Sequence, residues 1–593
     1  MTNSQLPIMQ KEDHQFSPKP QENLHTPIQQ QTNKIIAIDL GTTNSLVGLF
    51  ENSKVQLISN SNGNFLTPSA IALDQNNQVL IGQAALELRY TGQPVLTSFK
   101  RYMGTDRTLK LGQRELSAPE LSSLVLSALK ADAEHVLGHS VHDAVITVPA
   151  YFNDIQRQAT LAAAQLAGLN VSRLINEPTA AALAYGLGQT DDSCFLIFDL
   201  GGGTFDVSIV ELFDGVIEIR ASTGDNFLGG DDFVQIIVEQ FWQSQASTLG
   251  INVSEPPADL ISALRAQAQT ALHDLSTQSQ TTMNFKWQNV QASLDISVET
   301  FNIWIEPLLL RLRRPLERAL RDARLKPEEI NQIVMVGGAT RIPAVRRLIT
   351  KLFGRFPLTS IQPDEAIVRG ACIQAGLRAK DAALKEVVLT DVCPFSLGIA
   401  LGNEKSFSPI LERNIVIPAS RTREYCALNP GQKEILLQIY QGENRLCKDN
   451  IFLGELKVEL PPNNEKLTID VRFSYNPNGI LDVDVHVPRS GRNYQKVVIN
   501  NQSVMSPQQI DEARRQLATL KIHPRDTLLN RTLVLKAERL YSEMTGHFRE
   551  GIGQHIRQFE ESLNTQDERK IREARAHFEQ FLQHAIQTSV FED

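Results

Sequence analysis

The stretch FLIFDLGGGTFD at residues 195–206 constrains this chain more than any other. Four large apolar residues in a row, Phe195 to Phe198, suit a strand covered on both faces, and they run directly into Asp199, three glycines and Thr204. Gly201, Gly202 and Gly203 have no Cβ, so a tight turn can bring backbone N–H groups close to an anion, while Thr204 adds a hydroxyl. Asp199 and Asp206 bracket that turn, and two carboxylates suit a hydrated magnesium ion better than a bare phosphate. Taken alone, the stretch also fits a glycine-rich hairpin without a ligand. Two other stretches argue against that. IIAIDLGTTNSLVGLF at 35–50 repeats the order of strand, acid, glycine and threonine with Asp39, Gly41, Thr42, Thr43 and Asn44. IVMVGGATRIP at 333–343 runs a strand into Gly337 and Gly338 and predicts a helix from near Pro343. Three glycine turns, each closing a buried strand, can converge on one nucleotide from two related halves.

The same order of segments continues through LTPSAIAL at 66–73, FKRYMG at 99–104, VITVPAYFNDIQRQAT at 145–160, LINEPTAAALAYGL at 174–187 and GDNFLGGDDF at 224–233. In these motifs the chain resembles the seventy-kilodalton heat-shock chaperones, the DnaK family, and within them most of all the bacterial HscC branch. The resemblance spans roughly residues 34–593. It implies an α/β actin-like two-lobed ATPase domain at 34–384, an interdomain linker at 385–392, a β-sandwich peptide-binding domain at 393–503 and an α-helical lid at 504–593. ATP and ADP with Mg2+ are the implied cofactors.

Hydrolysis of a terminal phosphate needs a cation to neutralise oxygens, donors for the transferring group and something to place water in line. Asp39 and Asp199, each ending a strand beside a phosphate turn, are the candidates for holding magnesium through its waters. Thr42, Thr43 and Thr204 are candidate donors to phosphate oxygens. By resemblance, Lys100 and Glu177 orient the attacking water with help from Asp206. Gly230, Ser276, Arg341 and Asp364 complete the nucleotide site in the same way, and the Arg341 guanidinium plane suits stacking on adenine. Pro149, Arg157 and Asp391 match the family's relay between the cleft and the following domain.

The adenosine pocket departs from the family pattern. There the family's helix presents a glutamate, a lysine, a second basic residue and a serine; AQAQTALHDLST offers Gln269, Leu272, His273 and Ser276. ATP is therefore expected to bind chiefly through its phosphates, more weakly or with faster exchange than is usual for the family.

From 34 to about 380, apolar strands alternate with amphipathic stretches such as SAPELSSLVLSALKADAEHVL at 117–137, the order of an α/β domain. His135 and His139 have the spacing of paired zinc ligands, but Gly138 lies between them and no Glu follows His135, so a helix end is the better reading. In 385–392, Val387, Val388 and Leu389 lead to Asp391; an apolar linker that docks in one nucleotide state suits a switch, and an ordinary edge strand is the alternative. The period then changes. Leu467, Ile469, Val471 and Phe473 share one face, and after the turn NPNG, Leu481, Val483, Val485 and Val487 alternate back, as in an antiparallel sandwich. By resemblance, Tyr425, Leu428, Ile435 and Leu437 line a groove for an extended apolar peptide, although each also fits a core position. Beyond Asn501, Ser506, Pro507 and Gln509 make a helix start. Ile552, Ile556, Phe559 and Leu563, then Ile571, Ala574, Phe578 and Leu582, form the core stripes of a small bundle.

Residues 1–33, rich in Gln, Asn and Pro, read as a disordered tail. A net charge of -9 without a basic stripe argues against nucleic acid as a partner. No apolar run suits a membrane span and no signal pattern opens the chain, so a cytoplasmic protein is expected. Five scattered cysteines suggest neither a disulfide framework nor a zinc site. The function that follows is an ATP-dependent chaperone for unfolded or misfolded polypeptides, with a J-domain co-chaperone as activator and the need for a nucleotide exchange factor left open. A small-molecule kinase of the same two-lobed fold and a non-hydrolysing, exchange-factor-like relative are the alternatives.

Overall fold

The computed structural model describes residues 34–89, 93–187, 192–213, 216–246, 258–287, 290–358, 362–384, 388–402, 404–462, 464–477, 479–498, 507–522, 525–544, 546–565 and 567–589. The expected tail at 1–33, residues 385–387 of the expected linker and Ser506 lie outside the described residues.

Two sheets organise the N-terminal part. In the first, the strands lie in the order Asn170–Asn176, Asp143–Val148, Ile36–Asp39, Asn44–Glu51, Lys54–Ile58. The second runs Gln332–Val336, Ser193–Leu200, Phe205–Phe213, Val216–Asp225, Val388–Val392, Val416–Ile417. Each contains the same unit, a parallel pair continued by an antiparallel hairpin. Phe195, Leu196, Ile197 and Phe198 have no exposed surface, the burial expected for a strand covered on both faces.

Two helices fill the space between the sheets. Glu177–Gly186 starts where Asn176 ends a strand, with Pro178 in its first turn, and Ala366–Arg378 crosses it. Ala180, Leu183, Ala371 and Ile373 from these helices share one apolar cluster with Ala37 and Val145 of the first sheet and Phe195, Ile197 and Val334 of the second. The two lobes are thus joined through a common core. Gly370 makes the crossing possible, because a Cβ there would collide with the Ala180 carbonyl.

The C-terminal part holds two four-stranded antiparallel sheets, one with Ser406–Leu411, Leu397–Leu401, Glu434–Gln441 and Ile451–Glu459, the other with Ala419–Cys426, Thr468–Tyr475, Leu481–Val487 and Arg492–Val498. Ile469, Val471, Phe473, Val483 and Val485 face a shared interior, as their alternation predicts. The helix Pro507–Ala518 follows, then Arg525–Glu543, Gly546–Asn564 and Glu568–Ser589. Ile552, Phe559, Phe578 and Leu582 are buried where these last helices meet.

The parts are docked on one another. Val388 and Leu389 pair parallel with Val216 and Ile217, while Asp391 and Val392 pair with Ile417 and Val416, so the expected linker is a strand bridging the ATPase-like sheet to the sandwich. Ile510, Ala513 and Leu517 enter the core of the first lobe. Among the described residues no helix is long and apolar enough to cross a membrane.

Candidate functional site

The two hairpin tips meet face to face. A Cβ on Gly202 would collide with Thr43, and one on Gly203 would lie 2.7 Å from Thr42 Cγ2 and 2.8 Å from Arg101 Cγ. Glycine is what lets the tips touch. The third turn backs onto the second hairpin: Gly337 has φ 84°, and a side chain there would strike the Leu200 carbonyl. Together the three turns border a cavity of ≈ 480 Å³. Gly41, Thr42, Thr43 and Asn44 line it from the first lobe, and Gly201, Gly202, Thr204 and Gly230 from the second. Ser276, Gly337, Gly338, Arg341 and Asp364 line the far end.

At the base of the cavity Asp39, Asp199 and Glu177 converge with Lys100, and Asp206 stands behind them; all five are buried. Lys100 Nζ donates to Glu177 Oε1 at 2.7 Å and lies 5.6 Å from the centre of the Phe152 ring. Asp39 accepts a hydrogen bond from Thr147 Oγ1 at 2.7 Å, and Asp206 accepts one from the backbone N–H of Tyr151 at 3.1 Å. Burial, then the neighbouring Glu177 charge, pushes the Asp39 carboxyl up to about 7 and that of Asp206 up to about 8, and raises Asp199 as well. Among the described residues these four carboxyl groups face one ammonium group, so a further positive charge is needed to keep them all ionised. Asp199 Oδ2 and Asp206 Oδ2 are buried without a hydrogen-bond partner, and such orphaned oxygens are what a cation with its waters satisfies. The donor set therefore fits magnesium. No group of three or more His, Cys, Asp or Glu among the described residues is placed to hold a bare ion.

At the far end Arg341 donates to Asp364 Oδ2 at 2.6 Å, with its guanidinium half exposed. Gln269, Leu272, His273 and Ser276 lie on one side of the cavity, on and just beyond the helix Ala258–Asp274. Leu272 is 7% exposed and packs into the core of the second lobe, so at this one position the wall is apolar where the family carries a cation. Leu272→Lys is expected to bind ATP more tightly than the unaltered chain; an equilibrium titration that showed no gain would count against the weakened-pocket reading.

The residues matched to the relay form one connected set. Arg157 Nη2 donates to Asn176 Oδ1 at 2.6 Å, and Asn176 Nδ2 and Thr179 Oγ1 both donate to Asp391 Oδ2 at 3.0 Å. Pro149 contributes its carbonyl to the turn, accepting from Phe152 N–H. Asn176 and Thr179 flank Glu177, so the bridging strand touches the chain segment that carries a site carboxylate. Alongside, Arg413 makes two hydrogen bonds of 2.8 Å to Asp322 and one of 2.6 Å to Glu443, tying the sandwich to the second lobe. Of the four groove candidates, Leu428 is 52% exposed, while Tyr425 and Ile435 are half-buried against the sandwich interior. Leu437, at 3% exposed, belongs to that interior.

Thr147, Phe152 and Arg413 escaped sequence reasoning. Thr147 stands in a motif already singled out, and its place one residue from the end of a strand beside that of Asp39 was the available signal. For Arg413 the sequence held no signal.

The family model described as Hsp70 protein matches residues 35–114 and 107–592. A "Chaperone protein DnaK" from Thermotoga neapolitana is 39% identical over 490 residues, 80% of this chain and 82% of that protein. Another from Thermotoga petrophila is 39% identical over 501 residues, 82% of this chain and 83% of its own. These matches reach the family and not the HscC branch within it. With the two-lobed cleft, the sandwich and the helical bundle in the expected order, the chain belongs to the Hsp70 family of ATP-hydrolysing molecular chaperones.

Proposed function

We propose that the cavity between the hairpins binds ATP with magnesium, and that its hydrolysis governs the grip of the sandwich and lid on unfolded polypeptide. The observation that carries this reading is the abutment of the two glycine–threonine tips above a buried cluster of carboxylates with orphaned oxygens. Magnesium, when bound, would neutralise phosphate oxygens and be held through water by Asp39 and Asp199. The backbone N–H groups of the three glycine turns and the hydroxyls of Thr42, Thr43 and Thr204 would orient the triphosphate. Lys100 and Glu177, held at 2.7 Å from each other, would place the attacking water, and Asp206 would assist. Arg157, Asn176 and Asp391 give this chemistry a route to the bridging strand, a coupling that rests on two docked or undocked arrangements. A J-domain protein as activator and a cytoplasmic location complete the reading. Tyr425, Leu428 and Ile435 would contact the client once the clamp closes.

The test is single-turnover ATP hydrolysis with and without an unfolded peptide. Peptide should accelerate the unaltered protein, and Thr204→Ala should lower the rate by about 10²-fold, the loss typical of one preorganised donor. A peptide-independent rate, or a phosphorylated small molecule in place of free phosphate, would overturn the proposal.

A further inference from the structure

The two sheets repeat one unit, and the copies differ at the position beside each site carboxylate. In the first lobe the parallel neighbours are Ile36 and Ala144, Ala37 and Val145, then Ile38 and Ile146, which puts Thr147 next to Asp39. In the second lobe Phe198 pairs with Met335 and Asp199 with Val336. Each lobe thus ends a central strand in an aspartate, but its neighbour is a threonine in one lobe and a valine in the other.

Thr147 has no exposed surface and is the one polar side chain in the buried run 144–148. A hydroxyl in such a place needs an acceptor for its proton. It donates to Asp39 Oδ1 at 2.7 Å. Threonine is β-branched and stiff at χ1, so the donor points in a fixed direction. Val336, equally buried, offers no donor, and Asp199 Oδ2 stays without a partner. Among the described residues that border the cavity, Asp39 is one and Thr147 is not. Thr147 therefore acts on the carboxylate from behind.

We propose that Thr147 is a positioning residue for magnesium: its hydroxyl ties one oxygen of Asp39 and so sets the other toward the cavity, where the waters of the cation would meet it. The inference rests on the cavity taking magnesium with its nucleotide. Groups that hold a metal-binding side chain from behind fix its orientation, and their loss costs about 10–100-fold in metal affinity. The lobes then differ in kind: Asp39 is oriented before a cation arrives, whereas Asp199, with its orphaned oxygen, adjusts to it.

The experiment is an equilibrium titration of a fluorescent ATP analogue on the full-length protein, at a series of magnesium concentrations and again in excess chelator. Thr147→Val keeps the shape and removes the hydroxyl; Thr147→Ala removes both. Each should raise the magnesium concentration needed for half-maximal tightening of nucleotide by about tenfold, the lower end of that range. Binding in chelator should stay as in the unaltered protein. Thr147→Ser, which restores the donor, should recover the magnesium response. In an Asp39→Asn background, Thr147→Val should add nothing, because the two changes break the same link. Thermal melts confirm that the strand is intact in each variant. An unchanged magnesium response in Thr147→Val, an equal loss in Thr147→Ser, or a loss of the same size in chelator would overturn the assignment and leave the cleft reading standing. Failure of the unaltered protein to bind the nucleotide, with or without magnesium, would remove both.

Discussion

Replacing Lys100 by methionine is expected to lower ATP turnover by roughly 10²–10³-fold while nucleotide still binds. Lys100 is 2% exposed and, among the described residues, is the one cation at the base of the cavity beside Asp39, Glu177, Asp199 and Asp206. Two effects follow from its loss, and they are separable. The first is chemical: water loses a fixed donor where charge develops during phosphoryl transfer, and a preorganised donor in a dry site contributes far more than one in bulk water. The second is structural: Glu177 keeps a buried charge whose partner, 2.7 Å away, has gone, a change that destabilises by about 3–5 kcal/mol when such a pair is broken from one side. Adding Glu177→Gln removes the stranded charge. The double variant should therefore recover most of the thermal stability and none of the turnover. Single-turnover kinetics and calorimetry on both variants check this. Turnover within tenfold of the unaltered protein, with nucleotide bound, would remove Lys100 from the chemistry.

The second large effect comes from packing. Gly370→Ala should destabilise the ATPase lobes by about 3 kcal/mol, the upper range for forcing atoms into a packed core. The added Cβ meets the carbonyl of Ala180, which belongs to helix backbone and cannot swing aside as a side chain would. The helices Glu177–Gly186 and Ala366–Arg378 must separate, and the cluster they share with both sheets opens with them. Glu177 is the first residue of one of these helices, so the displacement reaches the site. A shift approaching 1 Å in a positioned group costs about 10²-fold in rate. Both readouts should fall together: a melting midpoint lower by roughly 6–12 °C and a depressed turnover. A variant that melted within a degree of the parent would show that the crossing can relax, and would weaken the view that the lobes hinge on one rigid core.

Much of the fold was legible because its signals are local. A run such as Phe195 to Phe198 ending in Asp199 and three glycines states its own burial and its own turn. The alternation of Leu467, Ile469, Val471 and Phe473 states which face is inside, and all four are 5% exposed or less. Ile552 and Phe559, seven apart, share a helix face and a core. The acids and threonines of the site were legible for the same reason, since each sits at the end of a strand whose period marks it. Lys100, Glu177, Arg157 and Asp391 were reached only through family resemblance, because a single charged residue in a sequence does not announce its partner.

What the chain by itself determined is therefore the kind of pieces it makes: paired strand-and-glycine hairpins, an antiparallel sandwich, and helices with apolar stripes. Tertiary structure alone decided which pieces meet: Thr43 against Gly202, Lys100 beside Glu177, Arg413 on Asp322, and the bridging strand beside Val216. The division has a physical cause. Turn chemistry and hydrophobic period act over a few residues and are written there, whereas partners far apart in the chain are chosen by the packing of whole faces, through shape and burial that no single segment carries.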